Sequence, residues 1–332
     1  MIDIGRCLGL PIALATLLLA PVASAAVSAQ QIAAAEATAA GASCKAASSF
    51  YWEVGDKSGV GASGVQGLLA KKGSTAVSID SGSKLLFAAY VVQYRRGAEN
   101  LSPAEIAYLR MQQGYTKNQC VGGGDVLGCF KEFSNNVQSS TNVGKFYYSG
   151  GQLQALAAIG LDQVLSNATD AALADTVSST LGLPANTLSF STPTVAGGAI
   201  IAPSAYGAWL RQILSGSLSI SRALGLDAIC TSTASNAAGV PACPAAAYAP
   251  PIPGGQVWQY SFGHWVEKDP DSAAGDGAFS SPGESGFYPW IDSTRSYYGI
   301  VSRSGTVSRT AYESAVLCGQ AIRKAFISGV GQ

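Results

Sequence analysis

The segments that favour β-strands lie near the two ends of this 332-residue chain, and the segments between them favour helices. Aromatic and β-branched residues, separated by Gly, Pro, Asp and Ser turns, mark the strand segments. These segments are Phe50–Val54, Ser74–Ile79, Val257–Glu267, Gly286–Ile291 and Tyr297–Arg303. A sheet assembled from both chain ends satisfies this order. The sequence therefore predicts an α/β (α+β) fold with one antiparallel sheet.

Helices are expected at both ends and throughout the middle of the chain. Ala26–Ala40 and the amphipathic segment Thr310–Ile327 flank the predicted sheet, and Pro241–Pro253 reads as a loop. The middle helices are Lys84–Tyr94, Pro103–Met111, Gln152–Leu165, Ala171–Leu181 and Ser204–Leu214. We expect one domain over residues 26–332, with an α/β part near 26–95 and 255–332 and an all-helical insertion near 96–254.

The amino terminus has the pattern of a secretory signal peptide. Leu8–Ala20 is apolar, Arg6 precedes it, and the small residues Ala23-Ser24-Ala25 follow it. An apolar run of this length is shorter than the roughly 20 residues that span a bilayer. We predict removal of residues 1–25, or of 1–29 by a cut after Ala29, and a periplasmic or secreted protein without stable membrane insertion.

The charge balance excludes several classes of partner. Charged residues make up 12% of the chain, and 20 lysines and arginines balance 20 aspartates and glutamates. A neutral chain offers no electrostatic footprint for nucleic acid or for an anionic membrane. The high aromatic content is the opposite of a disordered composition. We therefore expect a folded protein that does not bind nucleic acid.

Six cysteines remain once Cys7 leaves with the predicted signal peptide. An even number in an exported chain indicates disulfides. We favour the pairs Cys120–Cys129, Cys230–Cys243 and Cys44–Cys318, the last of which would join the first helix to the last. The alternative is that some are buried free thiols. We expect no metal and no cofactor, because the chain has a single histidine and no close-spaced cysteine pair of the zinc type.

A serine and a lysine three residues apart begin the apolar helix near residue 84. Ser81 and Lys84 would lie on one face of its first turn. A serine hydroxyl needs a base to become a nucleophile, and a lysine serves when burial lowers its pKa. The alternative is an ordinary helix start, with Asp80 or Ser81 as the N-cap.

Two further segments add possible catalytic groups. In Phe146–Gly151, which opens a helix, a tyrosine near the serine and lysine could pass protons to a leaving group. In Gly277–Tyr288, a backbone N–H could join that of Ser81 in an oxyanion hole. The alternatives are a core tyrosine in the first segment and an ordinary strand and turn in the second.

Together these motifs resemble those of the serine β-lactamase-like, penicillin-recognising hydrolases, in particular the class C β-lactamase and related esterase branch. That family carries Ser-x-x-Lys at the start of a buried helix, then Tyr-x-Asn, then Lys-Thr-Gly or a variant on a late strand. Ser81–Lys84 matches the first motif, Phe146–Gly150 is similar to the second, and Gly277–Arg303 is similar to the strand pair bearing the third.

The resemblance implies a β-lactamase/transpeptidase-like fold and a role for each matching residue. Ser81 would be the acylated nucleophile, Lys84 its base and Tyr148 the proton relay. The substrate-binding positions would be Gly150, Ser280, Ser281 and Gly283. The oxyanion donors would be the amides of Ser81 and Ser281, with Glu284 as the alternative to Ser281, because Pro282 between them has no N–H.

Two departures from the family pattern bear on the substrate. Gly150 stands where the family has an asparagine, and Ser280 or Ser281 stands where it has a lysine. That lysine usually holds a substrate carboxylate, so an uncharged position suits neutral esters or amides better. Arg295 is a candidate to replace the missing charge.

The remaining motifs point to no other chemistry. His264 is expected in the core or in a strand near the site, and the chain has no Gly-x-Ser-x-Gly motif for a Ser-His-Asp hydrolase. Gly122-Gly123-Gly124 lacks the Gly-Lys-Ser/Thr ending of a phosphate-binding loop.

The preferred hypothesis is an exported serine hydrolase that acts on a small-molecule or oligomeric ester or amide. The alternatives are a β-lactamase or D-amino-acid peptidase of the same fold, and a catalytically silent envelope-binding protein.

Overall fold

A computed structural model describes residues 27–122, 124–233, 243–271, 274–305 and 308–332. The predicted signal peptide lies outside these ranges. The helices are α1 (Ala29–Ala40), α2 (Ser83–Tyr94), α3 (Pro103–Leu109), α4 (Val126–Lys131), α5 (Gly150–Ile159), α6 (Asp170–Leu181), α7 (Pro203–Leu214), α8 (Ile220–Ala223) and α9 (Arg309–Ser328). None of the helices in these ranges is long and apolar enough to cross a bilayer.

The strands alternate with helices in the middle of the chain and follow one another near its end. They are β1 (Phe50–Asp56), β2 (Gly59–Gln66), β3 (Val77–Ser78), β4 (Phe146–Tyr147), β5 (Leu188–Phe190), β6 (Ala199–Ile201), β7 (Ile229–Cys230), β8 (Ala246–Tyr248), β9 (Gln259–Tyr260), β10 (Trp265–Lys268), β11 (Gly275–Ser280), β12 (Phe287–Ile291) and β13 (Tyr297–Arg303).

The main sheet joins the two ends of the chain, which confirms the predicted fold class. Its strand order is β2-β1-β13-β12-β11-β10-β9-β7. The central contact between the two ends is the antiparallel pair β1–β13, in which Phe50 lies opposite Arg303 and Asp56 opposite Tyr297. Because every residue of β1 is buried, both faces of the sheet are covered at this point.

Neighbouring side chains of β12 contact opposite layers of the molecule, as the alternation of a strand requires. The Phe287 ring packs against Gly82, just before α2, and against the ring of Tyr206 in α7, at 5.1 Å between centroids. The Tyr288 ring instead fills the space beside Gly319 in α9. The sheet therefore separates the start of α2 from the carboxyl-terminal helix at this strand.

The terminal helices pack together outside the sheet. Ser28 and Gln31 form a reciprocal capping box at the start of α1, with Oγ and Oε1 accepting from the two backbone amides at 3.2 Å and 2.9 Å. A disulfide between Cys44 and Cys318 then ties the turn after α1 to α9. This confirms the predicted covalent link between the two ends.

β2 was not predicted, and the second predicted strand is shorter than expected. β2 is rich in glycine and only partly buried, so its composition gave little signal, and it forms by pairing with β1 across a short turn. The segment Ser74–Ile79 contributes only Val77–Ser78, which pairs with β6 in a separate small sheet. The middle of the chain is therefore not all-helical: it also holds β4 to β8, and β7 joins the main sheet.

Two of the three predicted disulfides are present. Cys120 and Cys129 are bonded, as are Cys44 and Cys318. The third prediction is wrong for this structure, in which Cys230 and Cys243 are free thiols. Their side chains meet through a hydrogen bond rather than at the bonding distance of a disulfide, which is about 2.05 Å.

Candidate active site

Ser81 lies in a single 3₁₀ turn, Asp80–Gly82, that leads directly into α2. Asp80 adopts a left-handed backbone with φ of 44°, which aspartate tolerates better than most residues. Its carboxylate accepts hydrogen bonds from the Ser78 hydroxyl at 2.9 Å and the Ser285 amide at 2.7 Å. Neither Asp80 nor Ser81 caps α2 with its side chain, so the Ser81 hydroxyl is available for other contacts.

Lys84 is buried next to Ser81 without a carboxylate partner among the described residues. Its side chain emerges from α2, which is buried on nearly every side, and the residue is only 4% exposed. The Nζ atom lies 2.8 Å from Ser81 Oγ and 2.9 Å from the carbonyl oxygen of Ala196. The sequence predicted the first contact, whereas Ala196 carries no signal that could have identified it.

Burial makes Lys84 a base near neutral pH. Loss of solvation lowers the pKa of its ammonium to about 7, because an ion is disfavoured where water is excluded. The negative charges of Asp80 and Glu284 act in the opposite direction and are smaller in effect. A large fraction of Lys84 is therefore uncharged at neutral pH.

Tyr148 completes the cluster from the segment between β4 and α5. Its hydroxyl hydrogen-bonds with the Ser81 side chain, and Lys84 Nζ lies 5.0 Å from the centroid of its ring. The ring stacks on Trp265 at 5.2 Å, and its amide donates to the Tyr248 carbonyl at 3.0 Å. Ser81, Lys84 and Tyr148, all predicted from the sequence, therefore meet at one hydroxyl.

The pKa of Tyr148 separates its chemistry from that of Lys84. Burial raises the pKa of its phenol to about 12, while hydrogen bonds with Ser81 and Trp265 lower it to a smaller extent. The phenol is therefore protonated at neutral pH and can donate a proton. Lys84, with its pKa near 7, is the group that can accept one.

A cavity of about 320 Å³ opens over this cluster. Its lining combines the catalytic candidates with aromatic rings, prolines and two charged side chains. The lining residues are Ser81, Tyr148, Tyr248, Pro250, Pro251, Trp265, Pro282, Glu284, Arg309 and Tyr312. Pro250 and Pro251 belong to the predicted loop and Tyr312 to the predicted last helix, whereas Arg309 precedes that predicted helix; the approach of all four to Ser81 depends on the tertiary fold.

The end of β11 supports the Ser81 turn rather than offering a free side chain to the cavity. The Ser281 hydroxyl donates to the Ser81 carbonyl at 2.9 Å, and the Ser281 amide lies 3.4 Å from the Pro289 carbonyl that accepts from it. The Gly283 amide donates to Phe287 at 2.7 Å. Ser280 is fully buried, and its hydroxyl has no hydrogen-bond partner among the described residues.

The backbone amides near Ser81 differ in whether they already have a hydrogen-bond acceptor. Within the described ranges, the amides of Ser81 and Glu284 donate to no acceptor, and both residues line the cavity. The Ser281 amide already has an acceptor across the sheet. An oxyanion hole needs donors that are free to meet the developing charge.

The side chain of Asn118 occupies the space beside Gly150. A Cβ atom at Gly150 would project into the Asn118 amide, so no larger residue fits there without displacing it. Gly150 itself begins α5 and is absent from the cavity lining. No local pattern connects Asn118 with this position, because the two residues are far apart along the chain.

Arg295 does not supply a charge to the cavity. Its guanidinium donates to the Leu224 carbonyl at 3.0 Å and lies over the Phe279 ring, 5.7 Å from the centroid. The cation that does line the cavity is Arg309, at the start of α9. The prediction that Arg295 could replace the family's lysine is therefore wrong.

His264 is a fully buried core residue, one of the two positions predicted for it. Its Nε2 accepts a hydrogen bond from the Gly225 amide at 2.9 Å, and its Nδ1 lies 2.8 Å from the Phe262 carbonyl. Burial lowers the pKa of the imidazole to about 4, so the ring is neutral at physiological pH. In the described part of the chain, no three His, Cys, Asp or Glu side chains cluster as metal ligands would.

Comparison with known proteins identifies the fold. No family model matches the sequence, and no curated protein is significantly similar to it. Among solved structures, EstCE1, a hydrolase with promiscuous acyltransferase activity, aligns over 89% of this chain and 99% of its own with a TM-score of 0.57 at 12% identity.

Two further solved structures support the same assignment. Simvastatin synthase (LovD) from Aspergillus terreus aligns over 89% of this chain and 100% of its own, with a TM-score of 0.54 at 13% identity. A β-lactamase from Mycobacterium bovis aligns over 83% and 95%, with a TM-score of 0.50 at 13% identity. The chain therefore has the fold of the serine β-lactamase-like hydrolases.

Proposed function

We propose that this protein is a serine hydrolase that cleaves an ester or amide through an acyl-enzyme on Ser81. The observation that carries the proposal is the 2.8 Å contact between Ser81 Oγ and a buried lysine amine whose pKa is lowered to about 7. A serine becomes nucleophilic when a neighbouring base removes its proton. Here the base is held on the first turn of a buried helix.

In the acylation step, neutral Lys84 takes the proton of Ser81 as Oγ attacks the substrate carbonyl carbon. The amides of Ser81 and Glu284 donate to the oxygen on which negative charge develops. Collapse of the tetrahedral intermediate breaks the bond to the leaving group. The proton held by Lys84 is returned to that group, with the Tyr148 hydroxyl, which contacts the same Oγ, as the relay.

In the deacylation step, water attacks the acyl carbon and gives its proton to the Lys84–Tyr148 pair. The bond between the acyl carbon and Ser81 Oγ then breaks, and Oγ regains a proton. The products are a free acid and the starting enzyme, so no cofactor is needed to balance the reaction. The solved structures with this fold include hydrolases by name, which supports the reaction class.

A serine-directed probe tests the assignment directly. We expect a fluorophosphonate to label wild-type protein at Ser81, and Ser81→Ala to abolish both labelling and turnover of p-nitrophenyl esters. Ser83→Ala is the matched control, because the Ser83 hydroxyl accepts from the Ala199 amide and does not line the cavity. Turnover that persists in Ser81→Ala would rule out the proposed nucleophile, and absence of labelling in the wild type would favour a silent binding protein.

Nitrocefin separates an esterase from a β-lactamase. Ser281 gives the end of β11 a hydroxyl rather than a cation, and that hydroxyl is engaged with the Ser81 carbonyl. We therefore expect nitrocefin to be hydrolysed slowly or not at all by a preparation that turns over p-nitrophenyl esters. Rapid nitrocefin hydrolysis would instead assign the protein to the β-lactamases.

We also propose that the protein acts outside the cytoplasm. Two disulfides are typical of oxidising compartments, and the amino terminus has the pattern of a signal peptide. Amino-terminal sequencing of the protein from its native host should begin at Ala26 or Gln30. A start at Met1 would contradict export by signal cleavage.

A further inference from the structure

Two leucines lie in solvent on a short turn that follows β2. Leu68 is completely exposed and Leu69 is 77% exposed, although leucine is among the residues that folding most often buries. We call residues 67–72 the leucine turn. The exposed side chain of Val65 precedes it at the end of β2, so apolar surface is concentrated at this point of the molecule.

The backbone of the leucine turn is anchored to the strands beside it. Gly67 has a φ of 81°, and a Cβ atom there would come within 2.5 Å of Ser49 Oγ. The Leu69 amide donates to the same Ser49 hydroxyl at 3.2 Å. The Lys71 amide donates to the Ser304 hydroxyl at 2.8 Å. Contacts just before β1 and just after β13 therefore fix the turn on both sides and hold the two leucines outside the core.

The segments that meet at this turn carry positive charges and no negative ones. Residues 42–52, 57–79 and 297–305 contain no aspartate or glutamate. Within the described ranges, no carboxylate lies within 4.0 Å of a lysine or arginine of these segments. Lys45, Lys71 and Lys72 are exposed, and Lys45 lines the same shallow hollow as Gly67. The balanced charge of the whole chain, which indicated no footprint for an anionic membrane, conceals this local excess.

An apolar tip beside several cations fits the surface of an anionic lipid bilayer. Leucine side chains gain by entering the boundary between the headgroups and the acyl chains. Each lysine near an anionic membrane surface adds about fivefold in affinity. A soluble polyanion would attract the lysines but has no apolar interior for the leucines. The combination therefore favours a membrane over a polysaccharide or a nucleic acid.

A second copy of the chain fits this edge less well. β2 is the outermost strand of the main sheet, and an outermost strand can pair with another chain. Antiparallel self-pairing would bring the start of one β2 to the end of the other. Lys57, just before β2, would then approach Lys71 and Lys72 of the other copy, and like charges that oppose each other are destabilising. The charge pattern therefore opposes a dimer and favours an anionic partner.

The leucine turn lies at the same edge of the sheet as the candidate active site. Gln66 at the end of β2 lies opposite Phe50, the first residue of β1, and β13 ends opposite the same residue. The next strand, β12, begins at Phe287, whose ring packs against Gly82 beside Ser81. A surface contact through the leucine turn would therefore hold the end of the sheet that carries Ser81 near that surface.

We propose that the leucine turn docks this protein reversibly on an anionic lipid bilayer. Leu68 and Leu69 enter the boundary below the headgroups, and Lys71 and Lys72 contact the lipid phosphates. This contact is adsorption at the surface rather than a membrane span. It does not rest on the proposed function, because the turn contributes no residue to the cavity.

Sedimentation with lipid vesicles tests the docking. We expect the wild-type protein to bind vesicles of phosphatidylcholine and phosphatidylglycerol at least tenfold more tightly than vesicles of phosphatidylcholine alone. Raising NaCl from about 0.1 M to about 0.5 M should weaken this binding, because salt screens exposed charges. The double variants Leu68→Ser with Leu69→Ser, and Lys71→Gln with Lys72→Gln, should each reduce the partition coefficient at least tenfold.

Matched variants change the same kinds of side chain elsewhere on the surface. Val121→Ser with Val137→Ser removes two exposed apolar side chains. Lys117→Gln with Lys131→Gln removes two exposed lysines. Both should leave vesicle binding unchanged, and equal melting temperatures serve as the folding control. All variants share the wild-type amino terminus, so the predicted signal peptide cannot account for a difference between them.

Three outcomes would overturn the docking. The first is a wild type that binds neither kind of vesicle, or matched variants that lose as much binding as the variants of the turn. The second is binding that the lysine variant loses and the leucine variant keeps, which would assign the turn to a soluble polyanion. The third is a dimer in light scattering that the leucine variant dissociates, without vesicle binding, which would assign it to a second copy. Because none of these measurements uses ester turnover, they stand apart from the test of the hydrolase.

Discussion

Two buried cations on different layers of this protein have opposite surroundings. Lys84 is 4% exposed and has no carboxylate partner in the described part of the chain, whereas Arg323 of α9 is 2% exposed and contacts two carboxylates. Arg323 donates to Glu267 at 2.6 Å, to Asp276 at 2.7 Å and to the Tyr288 hydroxyl at 2.6 Å. Both side chains lose their hydration on burial, but only Arg323 gains carboxylate acceptors for its charge.

The pKa values respond accordingly. Burial alone would lower the pKa of the Arg323 guanidinium, but Glu267 and the other negative partners outweigh it, and the pKa rises above its ordinary value. At Lys84, burial prevails and the pKa falls to about 7. This fold therefore stabilises the charge of Arg323 with carboxylates, and it leaves the Lys84 amine beside Ser81 without a carboxylate in the described part of the chain.

The strongest test of this contrast is Lys84→Met. Loss of the base should reduce kcat by about 10²–10⁴-fold, the usual contribution of general base catalysis. The same change removes a buried amine that is charged in the unfolded chain, so stability should rise, and more at pH 6 than at pH 10. Ester turnover and urea unfolding at both pH values measure the two effects, and a variant that is less stable at pH 6 would contradict the account.

The converse substitution, Arg323→Met, should act on stability. It leaves the buried Glu267 carboxylate without its cation, and breaking a buried ion pair in this way costs about 3–5 kcal/mol. We expect the urea concentration at the midpoint of unfolding to fall sharply. The kcat of the folded fraction should stay close to the wild-type value. A variant of normal stability and greatly reduced kcat would mean that the two regions are not separate.

Replacing the proton relay should have a smaller effect on the reaction. In Tyr148→Phe, Ser81 keeps its contact with Lys84 but loses the hydroxyl that donates to the leaving group. We expect a kcat loss of about 10²-fold, at the lower end of general acid catalysis. The loss should be greatest for esters with poor leaving groups, and equal losses for p-nitrophenyl and alkyl esters would argue against a relay.

The pH dependence follows from the direction of the Lys84 shift. kcat/KM should rise with pH through an apparent pKa of about 7, as the amine loses its proton, and then stay level until Tyr148 titrates near 12. The unfolded chain keeps its lysine protonated up to about pH 10.4, so it binds more protons than the folded one between these values. This group therefore adds stability as pH rises from about 7 to 10.4. A value of kcat/KM that does not change between pH 6 and 8 would contradict the assignment of Lys84 as the base.

The smallest effect is expected from the charge beside the lysine. Glu284 raises the pKa of Lys84, so Glu284→Gln should move the rising limb of the kcat/KM profile to lower pH, by less than about one unit. The backbone amide of residue 284 is unchanged by this substitution. Glu36→Gln, an exposed control on α1, should leave the rising limb at its wild-type pH. A shift of the limb to higher pH in Glu284→Gln would mean that Glu284 does not raise the pKa of Lys84.

Local pattern was enough to predict the parts of this protein that neighbouring residues determine. Ser81 and Lys84 lie within one helical turn, so their contact follows from the spacing once α2 begins there. The strands of aromatic and β-branched residues near the end of the chain were also predictable. β2 was not, because its glycine-rich sequence becomes a strand only by pairing with β1.

The lining of the cavity, including the positive charge of Arg309, depends on contacts between distant segments. Arg309 and Arg295 are both arginines near the last strands, and only the packed structure shows that the first lines the cavity and the second binds the Leu224 carbonyl. Asn118 likewise reaches the space beside Gly150 from another segment. The carbonyl of Ala196, which accepts from Lys84, is a backbone group and leaves no trace in residue type.

The protonation state of Lys84 is the property on which the whole account depends. Lysine labelled with ¹³C at Cε gives an NMR signal that shifts as its amine titrates, and comparison with Lys84→Met assigns the signal. We expect the Lys84 signal to titrate with a midpoint near 7. A midpoint above 10 for Lys84 would show that the amine is charged at neutral pH and cannot be the base that activates Ser81.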